Sequence, residues 1–378
     1  MIKMKNRNLA IVGASYLQLP LIEKAKEMGY VTHVFAWKAN DVGETAADFF
    51  YPISIVEKDD ILEKCREIGI CGICSIASDL AIVAVNYVAY HLGLACNSPQ
   101  STLCSTNKHL MRLTFEKGGV PSPRSMLVDE ATELARLSLE YPVIVKPTDR
   151  SGSRGIFKLT SAKGLEEAVR TAIAESFEKK ALIEEYVEGQ EYSVEYISYK
   201  KRHRFLALTL KYTTGAPHFI EKGHMEPAPV DAQTLARIQE TVTHALDTLG
   251  IENGASHTEL KIAPDGKIRL IEVGGRMGGD LIGSDLVRYS TGMDFVRMVI
   301  EVACGQEPDF TPVCSPMPVE VVFLFTREDV DGLERLQKEC PDQLIQVVDF
   351  HPENIGKTTD SSNRVGCYLK KYKEKQDV

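Results

Sequence analysis

Over the first hundred residues, short apolar runs alternate with longer amphipathic stretches. Residues 9–13, Leu-Ala-Ile-Val-Gly, form a strand-length run closed by glycine, and residues 20–28 carry helical spacing. Residues 31–36 repeat the strand pattern, and residues 70–76 and 80–92 give a further strand and helix. Such alternation predicts a parallel sheet covered on both faces, an α/β unit over residues 1–107. Its first turn, Gly13-Ala-Ser-Tyr16, lacks G-x-G-x-x-G, which argues against a nicotinamide enzyme. From residue 108 the strand runs come as close pairs, 143–146 with 156–159 and 181–187 with 191–198. These predict antiparallel hairpins in an α+β region reaching residue 310. Asp231 is a candidate cap for a helix whose Leu235, Ile238, Val242, Ala245, Leu246 and Leu249 form one stripe, ended by Gly250. Residues 311–378 make a third segment, with a strand-like run at 319–325 and a charged, solvated tail.

Composition narrows the classes of function. A chain of 378 residues is too long for one ordinary core and suits two or three domains. Its net charge of -9 speaks against a nucleic-acid surface, although a local cluster of Lys and Arg can still hold phosphate. No run approaches the roughly 18 apolar residues needed to cross a bilayer, and no secretory leader pattern follows the polar start. Nine cysteines, an odd number at irregular spacings, read as reduced thiols in a cytoplasm. Cys71-Gly-Ile-Cys74 reads as buried strand thiols rather than a metal or redox pair.

The strongest chemical signal lies at residues 258–273. Asp265-Gly266 suits a two-residue hairpin turn. With Pro264 and Lys267 flanking it, Glu259 and Glu272 stand opposite one another, their Cβ atoms roughly 4.5–5.5 Å apart. A four-residue loop keeps that pairing, whereas an odd-length loop shifts it. Facing carboxylates repel, and a divalent cation between them removes the conflict. The plainer alternative is a pair of solvated acids, one of them neutralised by Lys261. Beyond them, Gly274-Gly-Arg276-Met-Gly278-Gly279 combines close backbone approach with a planar cation suited to carboxylate or phosphoryl oxygens. A mobile loop with a solvated Arg276 is the alternative there.

Lys146 ends a strand run, and Ser151, Gly152, Ser153 and Gly155 follow in a small-residue loop whose N–H groups are free to wrap anionic oxygens. The loop lacks the P-loop pattern. Lys108 alone is an ordinary surface lysine. Residues 184–191, Glu-Glu-Tyr-Val-Glu-Gly-Gln-Glu, join two strands either as an acidic loop or as a hinge that reads a nucleotide; spacing leaves both open. Substrate choice is expected in residues 212–229, where His218, Glu221, His224 and Glu226 offer polar groups, though ordinary loop residues would look the same.

Taken in order, these parts resemble the ATP-grasp superfamily over nearly the whole chain: a lysine, a strand lysine with a glycine loop, an acid-to-acid hinge, then two metal acids. The resemblance implies a Rossmann-like preATP-grasp domain at 1–107, an ATP-grasp fold of two α+β subdomains clasping ATP at 108–195 and 196–310, and a small C-terminal α/β segment. It implies that Lys108 and Lys146 hold phosphates and that residues 151–155 close over them. Glu185 and Val187 would offer backbone groups to adenine with Glu184 beside them, and Glu191 would bind ribose. Glu259 and Glu272 would hold one or two magnesium ions, with manganese as an alternative. Two departures stand out. The family often has asparagine at the position of Gly274 as a further metal ligand, and many members have another basic residue at the position of His257. The segments around His257 and Arg276 look most like the branch that ligates amino acids into dipeptides. Arg276 and His257 would then be catalytic, and Arg276, Gly278, Gly279, His218 and Glu221 would contact substrate. The activity implied is ATP-dependent ligation of a small carboxylate to an amine through an acyl phosphate, in a monomer or homodimer without nucleic-acid or membrane partners. The rivals are a purine-pathway or carbamoyl-phosphate-type ATP-grasp ligase and an ATP-binding regulator without catalysis.

Overall fold

The computed structural model describes residues 7–150, 152, 154–215, 220–357 and 364–372, and these build three sheets. The first is parallel, in the order β3-β2-β1-β4, from β1 (Asn8–Val12), β2 (Val31–Phe35), β3 (Phe49–Tyr51) and β4 (Gly72–Cys74). The apolar run Leu9–Val12 of β1 is explained by its two covered faces. Leu9 and Ile11 join the helix Leu19–Glu27 and, from far along the chain, the helix Phe295–Ala303. Ala10 and Val12 pack against the helices Lys58–Ile68 and Asp79–Leu92.

The second sheet is antiparallel, ordered β5-β8-β6-β7, from β5 (Ser125–Val128), β6 (Val143–Pro147), β7 (Phe157–Leu159) and β8 (Ala181–Glu185). The helix Leu165–Glu175 covers it through Leu165, Ala168, Val169 and Ala172.

The third sheet has eight strands: β9 (Gln190–Tyr199), β10 (Arg202–Thr213), β11 (Glu221–Glu226), β12 (Gly254–Ile262), β13 (Ile268–Gly274), β14 (Val319–Leu324), β15 (Leu344–Val348) and β16 (Gly366–Lys371). Their order is β13-β12-β9-β10-β11-β14-β16-β15, and every pairing is antiparallel. The last segment of the chain thus extends this sheet, β14 pairing with β11. The helix Ala232–Leu249 forms as its stripe requires. Asp231 accepts from the Thr234 N–H at 2.8 Å, Gly250 follows the last turn, and Ile238, Val242, Ala245, Leu246 and Leu249 bury against the sheet.

One expected hairpin does not form. The runs at 181–187 and 191–198 become β8 and β9, which lie in different sheets. Gly189, at φ 135°, passes so close to β12 that a Cβ there would meet the Ile262 carbonyl oxygen at 2.2 Å. The chain therefore crosses from one sheet to the next instead of turning back, and each strand finds two other partners. All nine cysteines are free thiols, and among the described residues no helix is long and apolar enough to cross a membrane.

Candidate active site

Strand alternation builds the site. Along β9, Tyr192, Val194 and Tyr196 turn to the core beneath the helix Ala232–Leu249, so Glu191, Ser193 and Glu195 turn the other way. Register extends this face across the sheet. Glu272 lies opposite Glu259, Glu259 opposite Ser193, and Ser193 opposite Thr209. Two residues along, Lys211 and His224 are paired on the same face.

The facing of Glu259 and Glu272 agrees with expectation, but by another route. The turn is odd: the Ala263 N–H bonds the Lys267 carbonyl, leaving Pro264, Asp265 and Gly266 as a three-residue loop, with Gly266 at φ 77°. This shifts the register by one, so that Lys261 pairs with Arg269 and Leu260 with Leu270. A bulge then inserts Ile271 and restores the pairing of the two acids. It also lets Leu270 enter the core while Glu272, two residues on, faces the cavity.

Each acid is compensated by a lysine. Lys108 Nζ donates to Glu272 Oε1 at 2.8 Å and to the Arg150 carbonyl at 2.7 Å. Asn107 caps the helix Lys108–Gly118, and the Lys108 N–H bonds the Thr148 carbonyl, which fixes this lysine beside the glycine-rich loop. Lys211, buried on β10, lies 2.7 Å from Glu259, 2.7 Å from Glu221 and 3.3 Å from Glu191. Burial alone would lower its ammonium; Glu221, Glu259 and Glu191 outweigh it and hold the group well above the ordinary lysine value. In turn, Lys211 overrides the burial of Glu259 and keeps that carboxylate well below its usual range. Two hard carboxylate oxygens with no thiolate beside them fit magnesium rather than a soft ion.

Lys146 lies one residue short of the end of β6, and its ammonium lies 2.6 Å from buried Glu184, which also contacts Arg112 Nε at 2.9 Å. Burial and Arg112 lower the Lys146 ammonium against the pull of Glu184. Glu184 is therefore the inner anion of a lysine–arginine cluster. The Glu185 N–H is already bonded to the Arg124 carbonyl at 2.9 Å and is not free for a base. Val187 and Glu191 line a cavity of about 140 Å³ together with Ile144, Lys146, Tyr186 and Ile271. Gly152 and Gly155 sit in the loop at positive φ. Ser151, Ser153 and His218 lie outside the described residues.

His257 pairs through Nδ1 with buried Glu195, whose other oxygen accepts from the Gly278 N–H at 3.0 Å. Burial opposes the charge, but Glu195 raises the imidazole to about 9. Gly278 thus spends its N–H on Glu195 rather than on the cavity; a Cβ there would lie 2.6 Å from Glu195 Oε1. Gly279 does line the cavity. Arg276 reaches the cavity with its fork engaged: Nε donates to Asp79 Oδ1 and Nη2 to Asp79 Oδ2, both at 2.9 Å.

These groups surround a cavity of about 670 Å³, within the size range of small-molecule sites. It meets the smaller cavity at Lys211, Glu221 and Glu259. It also holds Tyr16, Phe323 and an Asp280–Arg364 ion pair at 2.9 and 3.0 Å, with Arg364 Nη2 3.8 Å from Glu221. Sequence reasoning missed Asp79, Arg112, Glu195, Lys211, Asp280 and Arg364. Lys211 and Glu195 had a signal, a charge breaking an apolar strand run; Asp79 and Arg364 had none.

The ATP-grasp domain family matches residues 139–285 of this chain. The chain is 25% identical to alanine–anticapsin ligase of Bacillus subtilis (strain 168) over 400 aligned residues, covering 90% of this chain and 84% of that one. It is also 25% identical to D-alanine–D-alanine ligase of Rhodospirillum rubrum, over 68% of this chain and 80% of the relative. The structure of L-amino acid ligase from Bacillus licheniformis shares the fold with a TM-score of 0.82 at 23% identity, covering 98% of this chain and 95% of that one.

Proposed function

We propose that this protein is an ATP- and magnesium-dependent ligase that joins the carboxylate of an amino acid to an amine through an acyl phosphate. The observation that carries the reading is the meeting of the two cavities at Lys211, Glu221 and Glu259, with Lys108, Glu272 and Arg276 lining the larger one. A nucleotide in the smaller cavity would present its terminal phosphoryl group where a carboxylate in the larger one can attack it.

In this reading Glu191 takes ribose hydroxyls and the Glu185 carbonyl takes the exocyclic amine of adenine. Lys108 and Lys146 hold phosphate oxygens. Glu259 and Glu272 would hold the metal ion, which when bound supplies charge neutralisation on the transferring phosphoryl group. A carboxylate oxygen of the first substrate attacks the γ-phosphorus as the bond to the bridging oxygen breaks, and ADP leaves. Lys211 lies at the junction to offset the charge on that group. The amine then attacks the acyl carbon; the bond to the phosphate oxygen breaks, and the departing phosphate takes up the proton that the nitrogen gives up. Arg276, retaining donors not bound to Asp79, steadies the oxygen that gains charge. His257, held protonated by Glu195, acts as a fixed cation and not as a base. Closing residues 151–155 over the phosphates would keep water from the acyl phosphate. The unpaired thiols suit a cytoplasmic setting.

The test is incubation with ATP, magnesium and hydroxylamine, screening pools of amino acids for ADP release and hydroxamate. Hydroxamate from one pool, abolished by Glu272→Gln, supports the reading. ADP release without hydroxamate under any pool rejects an acyl phosphate.

A further inference from the structure

The N-terminal unit sends one acid, Asp79, into the cavity, and the two residues before it are anchored. The Ala77 N–H bonds the Met277 carbonyl at 3.2 Å, with Ala77 itself at φ 60°. Ser78 caps the helix Asp79–Leu92 by accepting from the Ala81 N–H. Asp79 is thereby fixed at the first helical position, where the helix N-terminus favours a carboxylate. Both Asp79 oxygens meet the Arg276 fork, and the two side chains are only 16% and 15% exposed. A two-point pair of this kind fixes the plane of the guanidinium as well as its position. The third nitrogen, Nη1, donates to the Met277 carbonyl at 3.3 Å. Facing them, Gly274 leaves no spare room: a Cβ there would lie 2.8 Å from Asp79 Oδ1 and 3.3 Å from Arg276 Nε.

We propose that Asp79 is a positioning residue for Arg276, and that Gly274 lacks a side chain so that the Asp79 carboxylate can occupy that volume. The N-terminal unit is then part of the active centre. Arg276 presents its remaining donors to the cavity in one orientation because a helix from another sheet holds its other edge. The role given to Arg276 rests on the ligase reading above; the three-residue arrangement does not.

The test uses the full chain as wild type, Asp79→Ala, Gly274→Ala and the double variant, with Asp79→Asn as a size-conserving control should the alanine variant misfold. Displacing a catalytic group by about an ångström costs on the order of 100-fold in rate, so each single variant is expected to lose about that much kcat in the hydroxamate assay. The KM for ATP is expected to stay within about twofold, because Arg276 is engaged after nucleotide binding. The clash at Gly274 needs the carboxylate, so the double variant is expected to be no worse than the poorer single one. Retention of kcat within about threefold in Asp79→Asn, or losses that multiply in the double variant, would overturn the proposal. A second readout is independent of turnover: inorganic phosphate is titrated calorimetrically in the presence of magnesium and ADP. Asp79→Asn is expected to weaken phosphate binding about tenfold, in line with the loss of one aligned charge-assisted donor. Equal affinity in wild type and variant, or no uptake by wild type, also overturns it. A wild type without hydroxamate but with phosphate binding that depends on Asp79 removes the ligase reading and leaves the positioning intact.

Discussion

Replacing Glu226 by glutamine separates a pH effect on stability from the chemistry of the cavity. Glu226 is fully buried on β11; one carboxylate oxygen accepts from Thr209 Oγ1 and the other from Ser290 Oγ at 2.7 Å. Burial pushes its carboxyl up to about 8 from an ordinary 4.5; the Thr209 and Ser290 hydroxyls and His257 pull it down, while Glu195 adds to the rise. A raised carboxyl pKa means that the native state binds more protons than the unfolded chain between those two values. Stability from this group is therefore complete below the unfolded value, falls as pH rises through the interval, and levels off above the folded value. At about 1.4 kcal/mol per pKa unit, the full span amounts to about 5 kcal/mol. Glutamine has nearly the same shape and no charge, and the two hydroxyls can reorient to meet its amide. Urea unfolding of both proteins from about pH 5 to about pH 9 gives the difference in stability free of every other titrating group. The variant is expected to gain on the wild type by roughly 1.4 kcal/mol per pH unit up to about pH 8 and by nothing further beyond it. A difference that stays constant over that range would mean that Glu226 titrates as an ordinary carboxyl, and the reasoning from burial would be wrong.

Other residues give sharper single-point tests. Lys211→Met leaves Glu191, Glu221 and Glu259 without their shared cation; a loss of about 3–5 kcal/mol is expected in urea unfolding, partly recovered by adding Glu221→Gln. Gly278→Ala places a Cβ 2.6 Å from Glu195 Oε1 and 2.8 Å from His257 Nδ1, and overpacking there is expected to cost about 1–3 kcal/mol in thermal unfolding. Asp231→Ala removes a helix cap remote from both cavities; about 1 kcal/mol of stability should go while ADP release is unchanged.

Much of the fold was legible because the local signals were redundant. β1, the helix Asp79–Leu92 and the helix Ala232–Leu249 each combine a clear apolar pattern with a cap or a glycine stop, and they fall within a residue or two of expectation. The β8–β9 pair was misread because two apolar runs separated by a glycine are compatible either with a hairpin or with a crossing between sheets. Only Gly189 pressed against the Ile262 carbonyl decides it, and that neighbour is seventy-three residues away in the chain. The register of Glu259 and Glu272 came out as expected although the turn was assigned two residues rather than three. An odd loop and a bulge each shift the register by one, and together they cancel. Nothing in the residues of the turn discloses the bulge. Its trace is in the burial pattern: Leu270 and Val273 are core while Glu272 is not, a spacing that a regular strand cannot satisfy.

Two of the residues missed in the site, Glu195 and Lys211, share one physical reason. Polar residues at every second strand position ordinarily mark the solvent face of an antiparallel sheet. Glu191, Ser193 and Glu195 alternate in that way, as do Thr209 with Lys211 and His224 with Glu226, and the ordinary reading would send all of them into water. Here most of that face is buried, with Ser193, Glu195, Thr209, His224 and Glu226 at zero exposure, because other parts of the chain lie over it. A buried charge must find a partner or shift its titration, and these do both: Lys211 gathers three acids, Glu195 holds His257, and Glu226 is raised towards neutrality. Alternation therefore reported which residues share a face but not what covers it. The cover comes from segments such as that carrying Gly278 and Ser290, which donate to Glu195 and Glu226 from far along the chain. A charge placed on a strand is thus ambiguous by itself, and its function becomes readable only when the residue that completes its ion pair is known.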